Sequence, residues 1–96
     1  ESKNVPDAFI ACVDDSTRTI AFNVAQDLRN RGLYIEIDHQ KRSLKSQFKL
    51  ADKLSASKVV VLGPDEVAQG VAKVRNMATH EEQTVKLDGL AEALGC

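Results

Sequence analysis

AFIACVDDSTRTIAFNVAQDLRNRGLYIEID, from Ala8 to Asp38, is the stretch whose reading decides the fold. Ala8-Phe9-Ile10-Ala11-Cys12-Val13 runs without a polar break, the pattern of a central strand buried on both faces. Asp14, Asp15, Ser16 and Thr17 follow as capping side chains, and Ile20, Ala21, Val24, Ala25 and Leu28 recur at helical spacing. Capping the helix is the expected task of Asp14, Asp15 and Ser16. Gly32 stands where a C′ glycine ends a helix. Leu33, Ile35 and Ile37 then alternate with Tyr34, Glu36 and Asp38, which describes a half-buried strand near a sheet edge. Two strands joined through a helix require a crossover, and a crossover makes them parallel.

The pattern continues on the C-terminal side. Ser43 can cap a second helix with an apolar stripe of Leu44, Phe48, Ala51 and Leu54. Val59-Val60-Val61-Leu62 is another unbroken strand, and Gly63-Pro64-Asp65-Glu66 turns into a short helix that Gly70 ends. Val71 to Met77 and Gln83 to Leu87 read as two strands joined around Thr79-His80-Glu81, and Leu90 to Leu94 as a last helix. The order is β-α-β-α-β-α-β-β-α. It predicts an α/β fold whose first three strands are parallel, with helices on both faces and a final hairpin that makes the sheet mixed. Ligands in open sheets bind outside the carboxyl ends of the strands. Those ends carry Asp14-Asp15, Asp38 to Arg42, and Gly63 to Glu66.

With 96 residues, 43% of them apolar and 28% charged, the chain has the composition of one globular domain. Its net charge of −1 excludes a uniformly basic coat for nucleic acid. No apolar run is long enough to span a bilayer, and no secretory signal opens the sequence. The two cysteines, Cys12 and Cys96, form no C-x-x-C pair and no cluster with histidine. Neither a disulfide framework nor a zinc site is expected, and the usage suits a reducing cytoplasm. Cys96, as the last residue, is expected to be mobile. The charge is unevenly spread: Glu1 to Asp38 and Val59 to Cys96 each carry −3, whereas His39 to Lys58 carries +5. In that middle segment Lys41, Arg42, Lys45, Lys49, Lys53 and Lys58 face one acid, Asp52. Arg42, Lys45, Lys49 and Lys53 repeat at helical spacing and are expected to share a face. Such a face attracts anions locally without a basic overall charge.

Catalysis finds little support. There is no G-x-S-x-G elbow, and His39 and His80 lie in polar loops as surface residues. Cys12 sits within an apolar strand as core rather than nucleophile. No G-x-G-x-x-G or P-loop cradles phosphate, which counts against a mononucleotide-binding domain. Asp14-Asp15 would suit the magnesium site of a response-regulator receiver, but that fold needs an aspartate where this chain has Gly63-Pro64. No catalytic residue, metal ligand or cofactor is assigned to this chain.

The segment Lys45 to Met77, KSQFKLADKLSASKVVVLGPDEVAQGVAKVRNM, resembles the C-terminal anticodon-binding domain of class II aminoacyl-tRNA synthetases, and the histidyl branch most. Lys45, Phe48, Lys49, Ala51, Asp52 and Lys53 match the first part of the pattern. Gly63, Glu66, Gly70, Lys73, Arg75, Asn76 and Met77 match the second. Leu28-Arg29, Gly32 and Ile35-Glu36 fit upstream, and Glu81-Glu82-Gln83 with Val85 downstream. The resemblance covers nearly the whole chain, residues 1–96 forming one domain. It implies a three-layer α/β/α sandwich around a five-stranded mixed sheet, and an excised piece of a larger enzyme. It also implies that the partner is the anticodon stem-loop of a transfer RNA, with Lys41, Arg42, Lys45, Lys49, Glu66 and Arg75 as nucleic-acid-binding residues. Glu66 and Arg75, both expected near the carboxyl-end region of the sheet, would help read bases. Their bland alternative is an ion pair with each other. ATP and magnesium would belong to the absent catalytic domain of a cytoplasmic, homodimeric ligase. Neither a membrane nor DNA is an expected partner, and the chain alone is not expected to be an enzyme. A related domain used for protein contacts, and a small-molecule-binding α/β domain, are the alternatives.

Overall fold

Successive side chains of a strand point to opposite faces of its sheet, which divides the core of this chain into two layers. A computed structural model describes residues 5–95; Cys96, and with it the expectation of a mobile end, lies outside them. Five strands, β1 (Ala8–Cys12), β2 (Ile35–Ile37), β3 (Lys58–Leu62), β4 (Val71–Asn76) and β5 (Glu82–Lys86), join four helices, α1 (Arg18–Asn30), α2 (Leu44–Lys53), α3 (Pro64–Ala68) and α4 (Leu90–Ala93). The sheet order is β2-β1-β3-β4-β5. β1 is parallel to β2 and β3, while β4 and β5 add as an antiparallel hairpin. β1 is buried along its whole length, as its unbroken apolar run predicts, and β2 lies at the edge.

Ile10 and Cys12 of β1, Val60 and Leu62 of β3, and Ala72 and Val74 of β4 pack against Ala21, Ala25 and Leu28 of α1 and Leu90 and Ala91 of α4. Phe9, Ala11 and Val59 point the other way, against Ala51 and the half-buried Leu44, Phe48 and Leu54. These two layers of helix on one sheet make the α/β/α sandwich.

The capping differs in detail from the sequence reading. Asp14 accepts from the Ser16 N–H at 2.9 Å, but it caps a 3-10 turn, Asp15–Thr17. α1 starts only at Arg18, and the Thr17 hydroxyl, instead of capping it, donates to the Leu62 carbonyl at 3.0 Å. Asp15 caps nothing; its carboxylate meets Arg18 and Lys41. Ser43 does cap α2, accepting from the Ser46 N–H at 3.2 Å. Gly32 (φ +94°) and Gly70 (φ +73°) end their helices in the left-handed region that glycine tolerates.

Candidate nucleic-acid interface

β4 puts Ala72 and Val74 into the α1/α4 layer, so Lys73 and Arg75 project from the opposite face. The register carries this across the hairpin: Glu82 lies opposite Arg75, Thr84 opposite Lys73 and Lys86 opposite Val71. α2 packs over β1 on this face, leaving the β4–β5 half open. Lys73, Glu82, Thr84 and Lys86 are exposed there. On α2, Lys45 and Lys49 stand exposed one helical turn apart. A groove of about 420 Å³ runs between α2 and β4, lined by Lys45, Phe48, Asp52, Arg75, Met77 and His80.

Arg75 is held in place from three sides. Its Nη1 donates to Glu82 at 3.3 Å, its Nη2 lies 3.3 Å from His80 Nδ1, and its guanidinium carbon sits 5.5 Å from the centre of the Phe48 ring. The ion pair with Glu66, the alternative to base reading, is not formed among the described residues. The pairing of Val59 with Arg75 puts that residue beside the start of β3, whereas Glu66 follows the end of β3. The two therefore stand at opposite ends of β4, about four residues or roughly 13 Å of strand apart. The expectation that both lie near the carboxyl ends fails for Arg75, because an antiparallel strand runs back toward the other end. Glu66 folds its carboxylate over Gly63, so closely that a β-carbon at Gly63 would collide with it. A side chain at position 63 would therefore push the Glu66 carboxylate out of its present place.

The loop after β2 turns its charges inward. Asp38, 3% exposed, accepts from the Gln40 N–H at 3.1 Å, the Arg42 N–H at 2.7 Å and the Arg42 guanidinium at 2.6 Å. Burial pushes the Asp38 carboxyl up, but the two backbone N–H groups and the guanidinium together outweigh it and hold the carboxyl below its ordinary value. Arg42 thus precedes α2 rather than joining its basic face, and Asp38, not Asp52, balances it. Lys41, in the left-handed region at φ +55°, lies 3.5 Å from Asp15. Of the six residues singled out in the sequence, Lys45, Lys49 and Arg75 gather on the α2 side of the sheet. Lys41, Arg42 and Glu66 belong to the end where the parallel strands finish.

Three further residues on or behind this face, Lys73, Thr84 and Gln47, are not among the candidate site residues read from the sequence. Lys73 and Thr84 share the open half-face, which strict alternation along β4 and β5 could have signalled. Gln47, 2% exposed, donates to the Cys12 and Arg42 carbonyls at 2.8 Å each and accepts from the Cys12 N–H at 3.0 Å. It fastens α2 to β1 and to the Arg42 turn, and so sets where Lys45 and Lys49 stand. Cys12 is buried, and burial raises its thiol above the ordinary value, against the opposing pull of Thr17 and Arg18. It is a poor nucleophile. His39 and His80 are exposed, His39 with its ring 6.1 Å from that of Phe22. Among the described residues no three His, Cys, Asp or Glu side chains are grouped to hold a metal ion, and no helix is long and apolar enough to cross a membrane.

Residues 7–96 match the profile of the anticodon-binding domain family. The chain belongs to that family. The domain is 44% identical over 89 residues to the histidine–tRNA ligase of Caldanaerobacter subterraneus, covering 93% of this chain and 21% of that enzyme. It is 44% identical over 92 residues to that of Caldicellulosiruptor saccharolyticus, covering 96% and 22%. Among solved structures, the apo histidyl-tRNA synthetase of S. aureus superposes with a TM-score of 0.89 at 33% identity, covering 96% of this chain and 24% of that one. The RNA-binding domain of threonyl-tRNA synthetase from Cryptosporidium parvum shares the fold, with a TM-score of 0.83 at 18% identity. The anticodon-binding domain described here spans about a fifth of the length of the ligases it matches.

Proposed function

We propose that this chain is the anticodon-reading domain of a histidine–tRNA ligase and holds the anticodon stem-loop of tRNA(His) against the open half-face beside α2. The observation that carries this reading is the uncovered β4–β5 surface, where Lys45, Lys49 and Lys73 supply cations around a fixed arginine, Arg75. Single-stranded loops are recognised by splaying their bases onto such surfaces, with phosphates held by lysines. Arg75 presents a planar fork already ordered by its neighbours, so little side-chain entropy is lost on binding. Glu66, at the other end of β4, would accept from the donors of a different base. Lys41 and Arg42 lie farther off, and Arg42 serves first to neutralise Asp38.

In this reading the activation of histidine with ATP and the charging of the tRNA belong to a catalytic part outside these 96 residues. ATP and its magnesium ion would bind there, in a homodimeric cytoplasmic enzyme. The 96 residues supply affinity and identity.

The test is binding of RNA hairpins with the tRNA(His) anticodon or with each anticodon base replaced. Arg75→Ala should weaken the cognate hairpin by roughly 1–3 kcal/mol and the substituted hairpins by less. Its stability should change by no more than about 1 kcal/mol, because its partner Glu82 is exposed. Equal losses for all hairpins would reduce Arg75 to a phosphate contact. Failure to bind any hairpin would turn the reading toward a domain kept for protein contacts.

A further inference from the structure

We infer that the groove between α2 and β4 takes one unstacked base of the RNA loop, that Asp52 reads its edge, and that the base selected is guanine. This inference rests on the reading of the chain as an anticodon-binding domain.

The groove measures about 420 Å³, within the range of small-ligand pockets. Lys45, Phe48 and Asp52 occupy positions i, i+3 and i+7 of α2, so one stripe of the helix presents an ammonium, a ring and a carboxylate to the same opening. Phe48 and Met77 give it an apolar lining. Arg75 adds a guanidinium that Glu82 and His80 already hold beside the Phe48 ring. Bases splayed from single-stranded loops stack on aromatic rings and guanidinium planes.

The polar groups of the groove divide into committed and uncommitted ones. Arg75 is paired, whereas the Asp52 carboxylate and the Lys45 ammonium have no hydrogen-bond or ion-pair partner among the described residues, although both line the opening. The only ionised acceptor of a basic segment thus stands free at the mouth of a base-sized groove. An ionised carboxylate can only accept. Guanine alone offers two adjacent donors on its Watson–Crick edge, N1–H and the 2-amino group. Adenine and cytosine set one donor beside an acceptor, and uracil sets its donor between two acceptors, each of which a carboxylate repels. Lys45, at the rim, would meet the phosphate that the swung-out nucleotide brings with it.

The experiment measures binding of short RNA hairpins by the chain and by Asp52→Asn, with each base of the anticodon replaced in turn and with inosine, which lacks the 2-amino group, in place of guanine. At one position the unaltered chain should favour guanine over other bases by roughly 5- to 100-fold, and inosine should lose most of that advantage. Asp52→Asn should lower affinity for the guanine hairpin by a similar factor and bind guanine and inosine alike. The substitution lies on an exposed residue, so the melting temperature should stay unchanged. A guanine preference undiminished in Asp52→Asn overturns the inference, as does a preference for another base that this variant abolishes. Hairpin binding without any base preference overturns the groove while leaving RNA binding intact. No binding to any hairpin removes the anticodon reading itself, and the groove with it.

Discussion

On one face of the sheet α1 and α4 close over Ile10, Cys12, Val60, Leu62, Ala72 and Val74. On the other, α2 covers β1 and stops short, so that Lys73, Glu82 and Thr84 stand exposed around a half-buried Arg75. A single strand serves both purposes: alternate residues of β4 enter the closed layer (Ala72, Val74) or leave it (Lys73, Arg75). Stability and recognition therefore draw on different side chains of the same backbone, and substitutions on the two faces should have separable effects. The arginines repeat the division. Arg42 neutralises a buried carboxylate, and Arg75 meets an exposed one.

The closed face should be the costliest to disturb. Leu28, 1% exposed, is the largest side chain that α1 buries there. Leu28→Ala should destabilise the fold by roughly 2–5 kcal/mol, because apolar surface returns to water and a cavity is left behind. Denaturant titration measures this. At temperatures where the variant remains folded, its affinity for RNA hairpins should equal that of the unaltered chain. A variant that stays folded yet loses RNA affinity would break the separation of the two faces.

The loop after β2 should come next. Asp38→Asn loses the ion pair with Arg42 and weakens two backbone hydrogen bonds, with an expected cost of roughly 2–3 kcal/mol at neutral pH. The pH dependence fixes the mechanism. A carboxyl held below its ordinary value in the folded state contributes stability above its unfolded value, about 3.9. It loses that contribution as the pH falls through the lower folded value. The stability difference between the unaltered chain and Asp38→Asn should therefore be constant above about pH 5 and shrink below about pH 4. A difference independent of pH throughout would mean that the charge of Asp38 is not what stabilises the loop.

Periodicity made the element order legible, because β1 and β3 are unbroken apolar runs and α1 repeats its small residues Ala21 and Ala25 against the sheet. Side-chain partnerships were less so. Alternation along Leu33, Ile35 and Ile37 assigns Asp38 to the solvent side, but the chain turns after Ile37 and the carboxylate folds back under Arg42. Gln47 sits on the buried stripe between Leu44 and Ala51, and only its polar identity hides it. The partner of Arg75 depends on the register of a hairpin whose turn, from Met77 to Glu81, has no fixed length in sequence patterns. Assigning Arg75 to the wrong end of the sheet follows from treating β4 as if it ran with β3. The basic character of residues 39–58 was plain, whereas its division between inward and outward charges required the fold.

The smallest effect on folding, and the sharpest test of the open face, belongs to Lys45 and Lys49. Both are exposed on α2, and neither has a hydrogen-bond or ion-pair partner among the described residues. Replacing both by alanine breaks no hydrogen bond or ion pair and substitutes a residue of higher helix propensity, so stability should move by no more than ~0.5 kcal/mol. Binding should respond in a different variable. If each lysine neutralises one phosphate, the slope of log affinity against log salt should flatten by about 0.7 for every phosphate of a single-stranded loop left without its lysine. Cognate and base-substituted hairpins should lose affinity equally, since a phosphate carries no sequence information. Arg75→Ala should do the reverse, changing discrimination between hairpins more than the salt slope. Hairpin titrations over a range of salt concentrations separate the two. An unchanged slope in Lys45→Ala/Lys49→Ala would show that these lysines are only solvated, and would confine recognition to β4, β5 and Glu66.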